Sequence, residues 1–196
     1  MKEHYCAWLV ASVLSSVCGA GTDPRLDMTA TLQAVKPNPS LGDQANFLAR
    51  LVGTWDVDYT DYLKDGSTLR RTGEFTIGWI MDGRAIQDVW IVDPWGTHVE
   101  REVYTEVHYF EPKSRTWQAV FVDPQEGSIA RLTSTELSKD RYVLVTHDLG
   151  GKDTRWSFSD IRPDSFEWRD ETSSDGGKTW SLHSDYHMKR HGALSP

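Results

Sequence analysis

Histidines and carboxylates are the side chains of this sequence that could bind a metal ion or transfer protons. His183 and His187 lie four residues apart near the C-terminus. On a helix this spacing could hold one ion, but on a strand the two rings lie about 13 Å apart at roughly 3.3 Å per residue. The two histidines could then bind the same ion only if the strand bends. Alternatively, one of them could bind an ion together with His108 or His147 from another strand. We therefore predict no metal site.

Motifs for covalent catalysis and phosphate binding are missing from the sequence. It contains no Gly-x-Ser-x-Gly elbow and no Gly-x-x-x-x-Gly-Lys loop. Both cysteines, Cys6 and Cys18, lie in an apolar N-terminal run. A chain cleaved after this run would have no thiol for a disulfide, a thiolate ligand or a nucleophile. We predict no cofactor.

The string DGRAIQDVW combines polar and aromatic residues in a way that could orient a ligand. On a strand, Arg84 and Asp88 share a face with Trp90, and Gln87 lies on the other face. A polar group that points into an aromatic interior needs a partner from the protein, water or a ligand. The string is therefore either a structural network or a ligand-orienting one.

One stretch, Ser173 to Trp180, resembles the Asp-box of sialidases and other propeller proteins. Propeller enzymes carry several structural copies, whereas this chain has one copy and no repeat of roughly 40 to 50 residues. Glycosidases also need two carboxylates at a controlled separation. We interpret the stretch as the turn of the last hairpin, in which Asp175 accepts hydrogen bonds from the turn and Trp180 anchors it.

The elements that must position these residues are strands. After Gly53, polar and apolar residues alternate with period two in about ten segments rich in Val, Thr, Tyr, Phe and Trp. Short turn signals such as KDG, DPWG and SSDGG separate them, which favours antiparallel hairpins. One short helix is predicted before the strands, with Asp43 as its N-cap. We predict an all-β, about ten-stranded antiparallel up-and-down barrel with one short N-terminal helix, and a sandwich is the alternative.

Alternation defines two faces of each strand without saying which face points inward. The aromatic-rich faces of the later strands are Trp117–Ala119–Phe121, Trp156–Phe158, Phe166–Trp168 and Trp180–Leu182–Tyr186. Such faces either fill the barrel as a core or line a cavity.

Composition excludes some partners. The formal net charge is −8, and no Lys/Arg cluster stands out, so we predict no nucleic-acid partner and no stable membrane insertion after leader removal. Residues 1–20 have the proportions of a secretory signal peptide, and an over-long gene start or a cytosolic tail is the alternative. We predict a linker at 21–42, the barrel domain at 43–191 and a tail at 192–196, in a secreted or periplasmic protein with a cytoplasmic one as the alternative.

The helix, the Gly53-Thr54-Trp55 opening and the basic end of the last strand resemble the calycin superfamily of lipocalins and fatty-acid-binding proteins. The resemblance implies that the Trp55 ring packs at the closed barrel end under Lys189 or Arg190. The strings FLARLVGTWDV, WIMDGRAIQDVW, WSFSDIRPDSFEWR and SDGGKTW resemble a bacterial family catalogued as domain of unknown function 1579. That family implies a calycin-like barrel and brings no established reaction.

The function that we predict is the binding of a small, mostly apolar molecule inside the barrel. An alternative is a cofactor-free isomerase or cyclase, in which buried Asp88, Glu106, Asp148 or a histidine would move protons. A second alternative is a haem-binding barrel resembling nitrobindin, with His183 or His187 as the axial ligand, and a third is a filled structural barrel. The predicted ligand-binding residues are Arg84, Gln87, Asp88, Trp90, His108, Trp117, His147, Trp168 and Tyr186. The predicted structural residues are Gly53, Trp55, Asp175, Trp180 and Arg190.

Overall fold

The computed structural model describes residues 27–192 of the chain. The predicted signal peptide and residues 193–196 of the predicted tail lie outside the described residues. The helical segments are α1 (Met28–Leu32), a 3-10 helix (Pro39–Ala45) and α2 (Asn46–Leu51). The strands are β1 (Gly53–Tyr62), β2 (Thr68–Ile80), β3 (Ala85–Val92), β4 (Glu102–Glu111), β5 (Thr116–Asp123), β6 (Ser128–Leu137), β7 (Arg141–Thr146), β8 (Asp153–Ser159), β9 (Ser165–Ser173) and β10 (Ser181–Arg190).

The ten strands form a closed barrel in which each strand pairs antiparallel with its neighbours in sequence, and β1 pairs with β10. This confirms the predicted up-and-down barrel and excludes the sandwich. The short turns favour hairpins between successive strands, and closure leaves no unpaired sheet edge. The architecture is that of a calycin-like barrel. Among residues 27–192, no helix is both long and apolar enough to cross a membrane.

The helical segment before the strands starts earlier than the sequence predicted. Asn38 caps it, because its side-chain oxygen accepts a hydrogen bond from the Ser40 amide at 3.1 Å and Pro39 occupies the first turn. Asp43 is therefore not the N-cap. Its carboxylate instead accepts a hydrogen bond from the Asn46 side chain at 3.3 Å.

One end of the barrel is closed around Trp55. Its indole N–H donates to the Leu51 carbonyl at 2.8 Å, and the Arg190 guanidinium lies 4.0 Å from its ring centroid. Arg190 also donates to the Val52 carbonyl at 3.1 Å. Gly53 adopts a φ of +138°, and a Cβ there would lie 2.5 Å from the Arg190 guanidinium. A glycine is therefore required beside this arginine.

The last hairpin turn is built on Asp175. Its carboxylate accepts hydrogen bonds from the amides of Lys178 at 3.0 Å and Thr179 at 2.9 Å. Trp180 closes the turn through a bond from its indole N–H to the Gly177 carbonyl at 3.0 Å. This geometry is local to the turn and positions no pair of facing carboxylates.

Candidate functional site

A cavity of about 430 Å³ opens at the end of the barrel opposite Trp55. Its walls come from the inward-facing positions of strands from both halves of the barrel. Six of the side chains that line it are aromatic: Trp90, Tyr104, Phe121, Trp156, Trp168 and Tyr186. The barrel is therefore filled at its closed end and hollow at its open end.

The aromatic walls are held by contacts among themselves. The rings of Trp168 and Tyr186 stack with centroids 4.7 Å apart, and those of Trp90 and Tyr104 stack at 6.0 Å. Trp90 also packs on Trp168 at 5.4 Å with a tilt of 59°. Aromatic rings that are locked in this way lose little further entropy when a ligand packs against them.

Two indole N–H groups in the cavity wall lack an acceptor. The Nε1 atoms of Trp90 and Trp168 are buried and have no hydrogen-bond partner within residues 27–192. Trp156 differs, because its N–H donates to Asp170 at 3.1 Å. A buried donor without a partner is costly, so a ligand acceptor that reached either indole N–H would remove that cost.

The mouth of the cavity is lined by a network around Asp61. Asp61 accepts hydrogen bonds from Ser184 at 2.7 Å and Tyr186 at 3.2 Å, and it forms an ion pair with Arg71. Arg71 also contacts Glu102 at 3.2 Å. The positive charge of Arg71 is thus already matched by two carboxylates of the protein.

The floor of the cavity is polar and buried. Glu106 reaches the cavity from β4, and Asp88 and His108 lie behind it with exposed fractions of 0 and 1%. His108 Nε2 lies 2.9 Å from Asp88 Oδ2, and its Nδ1 lies 3.3 Å from the Tyr142 hydroxyl. Asp88 Oδ1 accepts a hydrogen bond from the Glu106 amide at 3.0 Å. These contacts form because Asp88 and Glu106 are paired residues of adjacent strands.

Burial raises the pKa of the Glu106 carboxyl well above its usual range, and the nearby Asp88 raises it further. Burial likewise raises the pKa of the Tyr142 hydroxyl, with Glu106 and Asp88 as smaller causes. At the mouth, the hydrogen bond from His183 to Asp170, 3.0 Å long, raises the pKa of the His183 imidazole. Burial therefore favours the neutral form of the Glu106 and Tyr142 side chains at the floor, whereas a hydrogen bond favours the protonated form of His183 at the mouth.

The charge of the cavity lining is predominantly negative. Arg71 and His183 are its basic side chains among the described residues. The acidic side chains of the lining are Asp61, Glu102, Glu106, Asp123, Glu126 and Asp170. A cleft lined by one sign of charge focuses its field on whatever enters.

The structure brings some of the predicted ligand-binding residues to the cavity and leaves others outside it. Trp90, Trp168 and Tyr186 line the cavity, and Asp88 and His108 lie directly beneath it. Side chains alternate between the two faces of a strand, and all five residues lie on the face that points into the barrel.

The other predicted ligand-binding residues lie away from the cavity. Arg84 precedes β3 and is exposed, with its guanidinium 3.4 Å from the Ser40 hydroxyl, and His147 is 77% exposed beside Asp153. Gln87 faces outward and donates to Thr105 at 3.0 Å. Trp117 is buried deeper in the core, where it packs on Phe110 with ring centroids 5.9 Å apart. The outward direction of Gln87 agrees with its predicted position on the strand face opposite Trp90.

Three mouth residues, Asp61, Arg71 and Asp170, were missed by the sequence analysis. Each lies near the end of a strand and alternates in phase with inward aromatics, as Asp61 does with Tyr59. Charged residues at such positions read as solvent-facing, so alternation alone does not find them. Asp148, a predicted proton carrier, is exposed and accepts from the Arg131 amide at 3.1 Å.

Comparison with solved structures places the chain among known barrels. It is similar to the S-type phycobiliprotein lyase CPES from Guillardia theta, with a TM-score of 0.54 and 14% identity over 77% of this chain and 94% of that one. It is also similar to Rv2717c from M. tuberculosis, with a TM-score of 0.52 and 14% identity over 79% of this chain and 99% of that one. Likeness at this identity shows a shared fold. No family model and no curated protein sequence matches the chain.

Proposed function

We propose that the protein binds a small, mostly apolar molecule in the barrel cavity. The observation that carries this proposal is the aromatic-walled cavity of about 430 Å³ with two unpartnered indole donors. Ligand pockets typically combine apolar walls with a few polar groups that fix orientation. A ligand acceptor near Trp90 and Trp168 would satisfy donors that the protein leaves free.

The charge of the lining narrows the ligand class to neutral or cationic molecules. A carboxylate ligand would meet Asp61 and Asp170 in the cavity lining, where the one arginine, Arg71, is already paired with Asp61. A positive charge near the mouth would instead be attracted by the acidic groups and by the faces of the tryptophan and tyrosine rings. This distinguishes the cavity from a fatty-acid site, which needs a free basic group.

Three naphthalene probes of matched size test both parts of this proposal by calorimetry. Naphthylmethylammonium is expected to bind at least tenfold more tightly than naphthoate, a difference of about 1.4 kcal/mol, with neutral naphthylmethanol between them. Trp168→Ala should weaken the ammonium probe by at least tenfold, because it removes a stacked wall. Trp180→Ala is the matched control, since Trp180 lies on the outer turn. Tightest binding of naphthoate, or equal losses in both variants, would contradict the proposal.

The predicted alternatives attach to particular residues of the site. In the isomerase or cyclase hypothesis, Glu106 and the His183–Asp170 pair would move the protons, because these titratable groups line the cavity. In the haem hypothesis, His183 is the residue that fits, because His187 faces outward beside Asp185 and Glu167. Soret absorbance of the purified protein tests the haem hypothesis.

Family membership and export complete the proposal. The strings that resemble domain of unknown function 1579 fall on α2–β1, on β2–β3, on β8–β9 and in the last turn, and they support membership of that family. Export rests on the composition of residues 1–20. N-terminal sequencing of the protein from its host tests it.

A further inference from the structure

Three potential metal ligands converge at the cavity floor. Asp88 on β3 and Glu106 and His108 on β4 each offer one ligand atom, and these atoms all lie within 4.8 Å of one another. All three residues are at most 1% exposed. Histidine and carboxylates together are a common ligand set for zinc and other divalent transition ions.

The spacing of the three ligand atoms matches that around a single ion. His108 Nε2 lies 2.9 Å from Asp88 Oδ2 and 3.5 Å from Glu106 Oε2. Ligands about 2.0–2.2 Å from one ion, at angles of roughly 90–110°, are separated from one another by about 2.9–3.6 Å. The side chains would therefore need little movement to share an ion.

The Glu106 carboxylate also has an oxygen without a partner. Its Oε2 atom is buried and accepts no hydrogen bond within residues 27–192. Within the same residues, the ion pairs of Asp88 and Glu106 are formed with His108 and with no lysine or arginine. Two buried carboxyl groups that share one imidazole are poorly paired, and a divalent cation would give the free Glu106 oxygen a partner.

The surroundings complete the arrangement expected of a metal site. The Tyr142 hydroxyl lies 3.3 Å from His108 Nδ1, where it can accept the second ring N–H and so direct Nε2 toward an ion. The Glu106 amide fixes the Asp88 carboxylate. Glu106 lines the cavity, which provides a path of entry from the mouth.

We propose that Asp88, Glu106 and His108 bind one divalent transition-metal ion, such as Zn²⁺, at the floor of the barrel. The protein supplies three ligands, and the cavity side of Glu106 leaves room for a fourth. The sequence analysis considered His183 and His187, which a strand holds apart. The barrel instead brings a strand histidine to carboxylates on its own and the neighbouring strand. This site goes beyond the proposed binding of an apolar molecule and is measured without any organic probe.

The test is metal content and affinity of the full chain after removal of metal with EDTA. After equilibration with Zn²⁺ and desalting, mass spectrometry of the metal should find one equivalent per chain, and Co²⁺ should give visible d–d absorbance. His108→Gln should abolish both signals. His187→Gln is the matched control, because it removes the exposed histidine of the separate cluster with Glu167 and Asp185 and should retain both signals.

A second variant keeps the test decisive if the core substitution does not fold. Tyr142→Phe preserves the ring and removes only the hydroxyl, and it should weaken Zn²⁺ affinity about 10–100-fold. Absence of bound metal in the wild type, retention in folded His108→Gln, or an unchanged affinity in Tyr142→Phe would overturn the proposal. Failure of the naphthalene probes with metal bound would count against the proposed ligand alone.

Discussion

At the scale of single residues, the surroundings of a carboxyl group decide whether its pKa is lowered or raised. Asp175 is exposed, yet bonds from the Thr179 amide and hydroxyl, the Ser173 hydroxyl and the Lys178 amide lower its pKa to about 2. Glu106 has the opposite shift, because burial disfavours its charge. One carboxylate therefore organises a turn, and the other belongs to an interior site.

Asp175→Ala is expected to destabilise the protein at neutral pH. Since the folded-state pKa is lowered to about 2 from the ordinary aspartate value of 3.8, the charge of Asp175 stabilises the fold above about pH 4. This contribution is lost as the pH falls through about 2. The difference in Tm between wild type and Asp175→Ala, followed by circular dichroism, should therefore shrink below pH 4.

Ser174→Ala is the control for this prediction. Ser174 is the exposed neighbour of Asp175 in the same turn. Its substitution should leave the Tm nearly unchanged across the same pH range. A difference between wild type and Asp175→Ala that stays constant down to pH 2 would show that the charge of Asp175 is not involved.

At the scale of elements, α2 closes one end of the barrel. Phe47, Leu48 and Leu51 on this short helix are at most 5% exposed, and the Phe47 ring packs on Tyr142 with centroids 5.8 Å apart. Arg50 on its outer side donates to the Ile161 carbonyl at 2.7 Å. A helix of this length is not stable alone, so its packing against the barrel holds it.

Phe47→Ala is expected to lower the free energy of unfolding by about 3–5 kcal/mol, through lost burial and the cavity that remains. Asn46→Ala changes the adjacent exposed residue and should cost within about 0.5 kcal/mol. Urea denaturation of the two variants measures both values. Equal and small effects would mean that α2 does not contribute to the core.

At the scale of the whole molecule, the barrel is closed by the pairing of its first strand with its last. β1 and β10 pair from Trp55↔Arg190 to Asp61↔Ser184, so the closing contacts span most of the chain. The same pairing carries the Trp55–Arg190 contact at one end and the Asp61–Ser184 bond at the mouth. Cavity and closed end therefore depend on one non-local interface.

A chain that ends after Trp180 is expected to lose cooperative folding. Removal of β10 exposes the edges of β1 and β9 and removes Tyr186 and Met188 from the core. Its near-UV circular dichroism should collapse, whereas a chain that lacks only residues 192–196 should keep the wild-type spectrum. A native-like spectrum in the shorter chain would show that closure is dispensable.

Much of the fold could be predicted because it depends on local patterns. Period-two alternation and turn residues identified the ten strands, since side-chain direction and turn conformation are properties of a few neighbouring residues. The Gly53-Thr54-Trp55 sequence and the basic end of the last strand predicted a basic residue over the Trp55 ring. The structure places Arg190 there.

The candidate site depended on tertiary structure. A bulge in β10 between Leu182 and Ser184 changes the phase of the strand, so Leu182 is 39% exposed while Tyr186 is buried, although simple alternation puts them on one face.

The sequence by itself determined the strands, their antiparallel order and the aromatic residues that fill or line the interior. These features follow from local residue patterns. Only the closed barrel decided that Arg84 and His147 lie outside and that Asp88 meets Glu106 and His108 across β3 and β4. Inward direction and cross-strand contact are set by pairing between strands, and no local pattern contains that register.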